Sequence, residues 1–169
     1  MKSTGIVRKI DILGRIVIPK EIRNRLNIDE NDNIEIYIDE NMIILKKYSI
    51  ISDIKEYIRN IGKALTSITS NNIIITDKEE IIYSNKLEIN DKKISNDLKK
   101  IIKEEIKTNE FIDIKVLENF KTNYYSFTSL IKNNGNNIGI IIMYSKNPID
   151  EKAKNIILNS SKIISEFYN

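Results

Sequence analysis

The chain of 169 residues contains no cysteine, no histidine and no tryptophan. The absence of cysteine excludes disulfide bridges, thiolate catalysis and cysteine-ligated zinc or iron–sulfur sites. The absence of histidine excludes a Ser-His-Asp triad, a histidine-ligated metal and a histidine general base. Few catalytic designs remain open, so we expect no enzymatic activity, no metal site and no cofactor.

Long apolar runs are also missing. Charged residues interrupt every hydrophobic stretch before it reaches the ~18–20 residues of a membrane span, and the N-terminus has no apolar signal-peptide core. We therefore expect a cytoplasmic protein with no membrane partner. A hydrophobic fraction of 41% and a charged fraction of 30% are typical of a globular chain rather than a disordered one.

The net charge of +3 is small, but it is unevenly distributed. Residues 1–25 carry seven basic side chains against two acidic ones, a net charge of +5. Residues 26–48 carry two basic side chains against six acidic ones, a net charge of −4. The first module is therefore bipolar, and its basic end is a candidate surface for phosphate groups.

The spacing of apolar residues in this module predicts one helix, beginning at Pro19, and four short strands over residues 5–11, 15–18, 33–39 and 42–46. Alternation places Ile34, Ile36 and Ile38 on one face, which we expect to be buried. So small a module rarely buries enough apolar surface to be stable alone. Since disulfides and a histidine metal site are excluded, we predict an obligate dimer in which strands of two chains complete one barrel-like sheet.

These segments also carry a specific resemblance. Residues 4–11, the Gly-Arg-x-x-x-Pro core at 14–19, and residues 34–37 and 44–48 resemble the AbrB-type DNA-binding domain. The resemblance implies a swapped-hairpin dimer that binds double-stranded DNA. By position, the DNA-binding side chains that it implies are Arg8, Lys9, Arg15, Arg23 and Arg25.

The sequence leaves open which arginine of the predicted helix contacts DNA. The family often has two adjacent arginines there, whereas Asn24 separates Arg23 from Arg25 in this chain. One position rotates a side chain by ~100° around a helix. Whether Arg25 takes the place of the second arginine is not decided by the pattern.

Residues 51–169 form a second predicted domain. Their apolar periodicity indicates an α+β fold, an antiparallel sheet with helices packed on it. The predicted helices cover about 50–65, 94–106 and 153–167, and the predicted strands cover 72–76, 80–84, 111–117, 124–131 and 138–144. Asn134-Gly135 is the expected turn of the last hairpin.

The order of these elements resembles a GAF-type sensory domain, a fold that often binds small molecules between sheet and helices. Strand alternation puts Tyr125 and Phe127 on one face and Tyr124 on the other. Tyr125 and Phe127 are therefore the candidate ligand-binding residues. The sequence does not identify the ligand.

The combination of the two domains resembles a family of sporulation regulators from endospore-forming bacteria. The resemblance implies a transcription regulator in the forespore that activates some genes and represses others. It also implies a homotetramer, in which helices of the C-terminal domains join two dimers.

Four alternatives are weighed against this interpretation. One is a structural or partner-binding protein whose basic end never meets DNA, which the absence of salt-dependent DNA binding would reveal. The chain could be a general AbrB-type transition-state regulator, or an antitoxin-like interaction module, although the regular periodicity of residues 49–169 differs from a short disordered antitoxin tail. An enzyme would have to use serine, lysine or carboxylate side chains, and a Ser-x-x-Lys pattern is present at Ser52–Lys55 and Ser129–Lys132. That pattern lacks its companion motifs, so it is weak.

Overall fold

The structure, a computed structural model, describes residues 4–30, 32–49, 51, 54–104 and 110–167. It divides into two compact units, residues 1–48 and 49–169. The expected boundary, after residue 50, falls close to this division. Among the described residues, no helix is both long and apolar enough to cross a membrane.

The first unit contains one helix and one hairpin. Helix α1 (Lys20–Leu26) begins directly after Pro19, as predicted, and ends at Asn27, which adopts a left-handed φ of 51°. Strands β1 (Ile34–Asp39) and β2 (Met42–Lys47) pair in antiparallel register, Ile34 opposite Lys47 and Asp39 opposite Met42. Glu40 has a φ of 47° and makes the expected turn between them.

Two expectations for this unit are wrong for the single chain. Residues 5–11 and 15–18 form no strand among the described residues. The face shared by Ile34, Ile36 and Ile38 is not buried, since Ile36 is 66% and Ile38 83% exposed. A strand requires a paired neighbour and a buried face requires an opposing layer, and one isolated hairpin supplies neither.

The second unit is built on a five-stranded antiparallel sheet. Its strands are β3 (Asn72–Asp77), β4 (Ile81–Ser84), β5 (Glu110–Phe111), β8 (Tyr125–Asn133) and β9 (Asn136–Ser145). They lie in the order β4-β3-β9-β8-β5. β6 (Lys115–Leu117) and β7 (Phe120–Lys121) form a separate pair. The single strand predicted over 111–117 is therefore two strands in two sheets, whereas the β8–β9 hairpin turns at Asn134-Gly135 as predicted.

Three helices pack on this sheet, together with a short 3₁₀ turn at Leu87–Ile89. They are α2 (Lys55–Thr69), α3 (Asn96–Lys103) and α4 (Glu151–Glu166). Side-chain caps mark two of the starts: the N–H of Leu98 donates to Ser95 Oγ at 3.1 Å, and that of Ala153 donates to Asp150 Oδ1 at 2.8 Å. Residue 50, where the first of these helices is predicted to begin, and residue 106, where the second is predicted to end, lie outside the described residues.

Both faces of the sheet are covered, as the alternation along β9 demonstrates. Ile141 and Met143 belong to the apolar layer beneath α2 and α4, whereas Ile140, Ile142 and Tyr144 belong to the layer beneath α3. The second unit therefore has its own complete hydrophobic core, in contrast to the first.

Gly62 is needed for the close approach of α2 to the sheet. A Cβ at this position would lie 2.1 Å from Cδ1 of Tyr83 on β4. The Tyr83 hydroxyl also lies 3.0 Å from Thr66 Oγ1, one turn further along the same helix. The helix and strand thus interlock at a point where only glycine fits.

Candidate nucleic-acid interface

A tight turn over residues 11–15 presents Arg15, one of the predicted DNA contacts. The N–H of Gly14 donates to the carbonyl of Asp11 at 3.0 Å, and the N–H of Asp11 donates to the carbonyl of Arg15 at 3.0 Å. Gly14 adopts a left-handed φ of 74°, a conformation that glycine takes without a steric cost. The glycine in the Gly-Arg-x-x-x-Pro core is thus explained by the backbone.

The Asp11 carboxylate organises this turn. Its Oδ1 accepts hydrogen bonds from the N–H groups of Leu13 and Arg15, both at 2.9 Å, and its Oδ2 accepts one from Arg15 Nε at 2.8 Å. The backbone N–H of Arg15, followed by its guanidinium, lowers the pKa of Asp11. The carboxylate therefore stays ionised and orients Arg15, whose side chain is 71% exposed.

Arg15 retains donors for a phosphate while it is held in this way. A guanidinium has five N–H donors in a planar fork. Asp11 engages the one on Nε, and the Nη donors have no protein acceptor within the described ranges. The arginine is oriented by one edge and presents the other to solvent.

Arg8 and Lys9 precede the turn and are both exposed. Arg8 Nη1 donates to the adjacent carbonyl of Val7 at 3.0 Å, so its guanidinium stays close to its own backbone. Three of the five predicted DNA-binding side chains thus belong to one exposed segment, residues 8–15.

The two arginines of α1 have different environments. Arg25 is exposed, whereas Arg23 is half-buried, and its Nε is buried with no hydrogen-bond partner in the described part of the chain. Residues two positions apart are separated by ~200° around a helix. Arg25 is therefore the outward-facing arginine of this helix, a distinction that the sequence pattern left open.

In the second unit, a cavity of about 490 Å³ lies beside the edge strand β5, β8 and the start of α4. Tyr125 and Phe127 both line it, since they share one face of β8. Tyr124 lies on the opposite face, with its ring 6.5 Å from that of Tyr144 and nearly parallel to it. The predicted separation of these aromatic side chains is confirmed.

The cavity also contains an ion pair that sequence reasoning missed. Lys154 Nζ lies 2.5 Å from Glu110 Oε1, 2.7 Å from Glu151 Oε1 and 5.9 Å from the centre of the Phe127 ring. The hydrogen bonds to Glu110 and Glu151 raise the pKa of Lys154, which remains an ammonium. The position of Lys154, directly after the buried Ala153 on α4, is the one sequence feature that hints at its partial burial. Glu110 has no such feature, because the two-residue strand β5 is too short to show periodicity.

The chain matches two family models. Residues 53–167 match the model described as stage V sporulation protein T C-terminal, transcription factor. Residues 7–53 match the model described as antidote-toxin recognition MazE, bacterial antitoxin. The two matches meet near the division between the structural units.

Curated relatives from Bacillus subtilis (strain 168) give the same division. Stage V sporulation protein T is 35% identical over 153 residues, 86% of each chain. The transition state regulatory protein AbrB is 67% identical over 48 residues, which is 28% of this chain and 50% of the relative. The putative transition state regulator Abh is 49% identical over 67 residues, 34% of this chain and 73% of the relative.

Among solved structures, the chain is similar to the N-domain of the transcription factor abrB, determined in solution. The two are 65% identical, and the match covers 29% of this chain and 94% of the other, with a TM-score of 0.28. A second solution structure, of the N-terminal DNA recognition domain of Bacillus subtilis AbrB, is also 65% identical and has a TM-score of 0.26.

Proposed function

The chain belongs to the family of stage V sporulation protein T, and we propose that it is a DNA-binding transcription regulator of sporulation. The observation that carries the proposal is the likeness to that relative over 86% of both chains. The 67% identity of the basic module to AbrB supports the DNA-binding part. The relatives are transcription regulators, and we infer that this chain likewise has no enzymatic activity.

The DNA contacts are assigned to the exposed cations of the first unit. Arg8, Lys9, Arg15 and Arg25 are all exposed, which supports contact with phosphates or base edges. Arg23 is half-buried, so we assign it a smaller contribution to DNA binding. Because Asp11 orients Arg15 without using its Nη donors, that arginine can grip a phosphate with two parallel hydrogen bonds.

We assign the first unit to a dimer. No apolar residue in its described ranges, 4–30 and 32–48, is buried, and fourteen of its large apolar side chains are exposed. A surface of this kind requires a cover. A second copy of the same unit would supply both the cover and the missing neighbours for residues 5–11 and 15–18, in the swapped-hairpin barrel that the AbrB-type resemblance implies. Dimerisation would also double the number of basic side chains at the DNA.

We assign the second unit to further assembly, into a tetramer. Apolar side chains remain exposed on α2 and around the end of α4, although the core beneath these helices is complete; they are Tyr57, Ile68, Ile163 and Phe167. The rings of Tyr57 and Phe167 lie 4.6 Å apart, so the two helices share one apolar patch. Pairing of such patches would join two DNA-binding dimers and set the spacing between them.

The remaining parts of the proposal concern regulation. We propose that the protein acts in the forespore, activating some genes and repressing others, and that its second unit is a GAF-like sensor whose cavity takes a small molecule. The helix–sheet–helix arrangement and the cavity beside Tyr125 and Phe127 support this role. Ligand binding would act by changing the spacing between DNA-binding dimers.

An antitoxin-like function is the second candidate, because residues 7–53 match the MazE model. The second unit argues against it. Residues 49–169 have two apolar layers of their own, whereas an antitoxin of the expected kind needs only a short tail that is disordered alone.

The proposal is tested by selection of genomic DNA. The full chain is incubated with fragments of its own genome, and the bound fragments are sequenced beside those bound by an Arg8→Ala/Arg15→Ala double variant. We expect the full chain to enrich regions upstream of sporulation genes and the double variant to lose this enrichment. The proposal is wrong if both proteins recover the same fragments at the same yield.

A further inference from the structure

The cavity of the second unit combines one ion pair with apolar walls. Glu110 and Lys154 are its two charged lining residues, and they contact each other at 2.5 Å. The other residues that line it are, apart from Ser126, apolar or aromatic: Phe111, Ile112, Tyr125, Phe127, Pro148 and Ile149. A volume of about 490 Å³ falls in the range of small-molecule sites.

The two charges differ in how deeply they are buried. The Lys154 side chain is 16% exposed, whereas that of Glu110 is 64% exposed. The carboxylate can therefore rotate away from the ammonium with little change in its own hydration. The ammonium keeps Glu151 at 2.7 Å as a negative partner when Glu110 rotates away, and the N–H donor that Glu110 releases is then open to a ligand carboxylate.

From this geometry we propose that the cavity binds an apolar α-amino acid as its zwitterion, with Lys154 and Glu110 as the two charged anchors. The ligand carboxylate takes the place of Glu110 beside Lys154, and the ligand ammonium pairs with the displaced Glu110. Each charge exchanges one partner for another, so the cavity gains no net charge. The apolar side chain lies against Tyr125 and Phe127.

The proposal rests on the sensory role assigned above to the second unit and adds the chemical class of its ligand. Lys154 belongs to α4, near whose end Ile163 and Phe167 contribute to the apolar patch assigned to tetramer assembly. Binding at the first turns of α4 would therefore act on the helix that we propose sets the spacing of the DNA-binding dimers.

The test is isothermal titration of the full chain with L-phenylalanine, L-leucine and L-isoleucine. Two analogues of phenylalanine each lack one charge: 3-phenylpropanoate has no amino group and 2-phenylethylamine has no carboxylate. We expect saturable binding of at least one amino acid and, if it is phenylalanine, a loss of about tenfold or more for both analogues. If the bound amino acid is leucine or isoleucine, the two analogues are the acid that lacks its amino group and the amine that lacks its carboxylate.

Variants provide a second, independent comparison. Lys154→Met and Glu110→Gln should each weaken binding by about tenfold or more, whereas Lys152→Met and Glu88→Gln, at exposed positions outside the cavity lining, should change it by less than about twofold. Thermal unfolding of each variant checks that it is folded, and the analogue comparison needs no variant.

Three results would overturn the proposal: no saturable binding of any of the three amino acids up to about 10 mM, equal binding of the acid analogue, or undiminished binding by both cavity variants. DNA binding is measured on the same preparations. If the unmodified chain binds DNA but no amino acid, this inference alone is refuted. If the unmodified chain does not bind DNA, the proposed function is refuted.

Discussion

Replacement of Arg15 by alanine isolates the charge of one proposed DNA contact. Two of the three hydrogen bonds to the Asp11 carboxylate come from the backbone N–H groups of Leu13 and residue 15, and both survive the substitution. Gly14 keeps its left-handed conformation and its bond to the Asp11 carbonyl. We therefore expect Arg15→Ala to preserve the turn and to remove only the guanidinium.

The size of the effect follows from counterion release. If Arg8, Lys9, Arg15 and one arginine of α1 each neutralise a phosphate, a DNA-bound dimer makes ~8 contacts, and log K falls with log salt at a slope near −7. Arg15→Ala removes two contacts per dimer, so the slope should become about −5. The affinity advantage of the unmodified chain should then shrink about tenfold between ~50 and ~200 mM salt.

Fluorescence anisotropy of a labelled DNA duplex, titrated with the full chain at several salt concentrations, measures both slopes. Lys100→Ala is the matched control, because Lys100 is an exposed cation on α3 of the second unit. The control should leave the slope unchanged. A slope shallower than about −3 for the unmodified chain, or equal slopes for it and Arg15→Ala, would refute the assigned geometry.

Three further predictions concern the second unit. Gly62→Ala should lower the free energy of unfolding in urea by about 1–3 kcal/mol, because its Cβ would lie 2.1 Å from the Tyr83 ring. In a Tyr83→Ala background the same change should stabilise the helix instead. A lower free energy of unfolding in both backgrounds would contradict this explanation. The hydrogen bond from Lys55 lowers the pKa of Asp91, so the stability it contributes is present above the unfolded-state pKa and is lost as pH falls through the lower folded-state value. Since the Asp91 side chain is half exposed, Asp91→Asn should lower the free energy of unfolding at pH 7 by less than about 1 kcal/mol. The difference should shrink as pH falls below the unfolded-state value of about 3.9, and a difference that does not shrink in acid would exclude the carboxylate as its cause. Ile163→Asp, at a position 54% exposed on α4, should convert tetramers to dimers in light scattering without changing the melting temperature, and an unchanged mass would exclude this patch as the assembly surface.

The elements predicted correctly are those that local chemistry specifies. The β8–β9 hairpin follows from two alternating apolar runs around Asn134-Gly135, and α4 follows from apolar residues at helical spacing. The single strand predicted over 111–117 was wrong. An apolar run indicates extended chain but does not indicate where that chain changes from one sheet to another.

The first unit marks a different limit of sequence reasoning. Residues 5–11 have the alternation of a strand, yet the single chain offers them no neighbour within the described residues. Alternation indicates which side chains share an apolar face. It does not indicate which chain will cover that face. The prediction of an obligate dimer came from that same shortage of buried surface.

For the sites, the AbrB-type resemblance implied Arg8, Lys9, Arg15, Arg23 and Arg25 as DNA contacts, and strand alternation predicted that Tyr125 and Phe127 share a face. The sequence could not rank Arg23 against Arg25, because exposure on a helix depends on what the helix packs against. It also could not find the contact between Lys154 and Glu110, which lie 44 positions apart in the chain.

The sequence by itself determined the two-domain organisation, the basic and acidic ends of the first module and the absence of cysteine and histidine chemistry, because each depends on composition and short-range spacing. The tertiary structure alone decided which arginine faces outward, that Asp11 orients Arg15, and that Glu110 meets Lys154 in a cavity walled by Tyr125 and Phe127. Some of these contacts join residues far apart in the chain, and others depend on how one segment packs against another. Such arrangements exist only once the backbone has folded, so local spacing carries no signal of them.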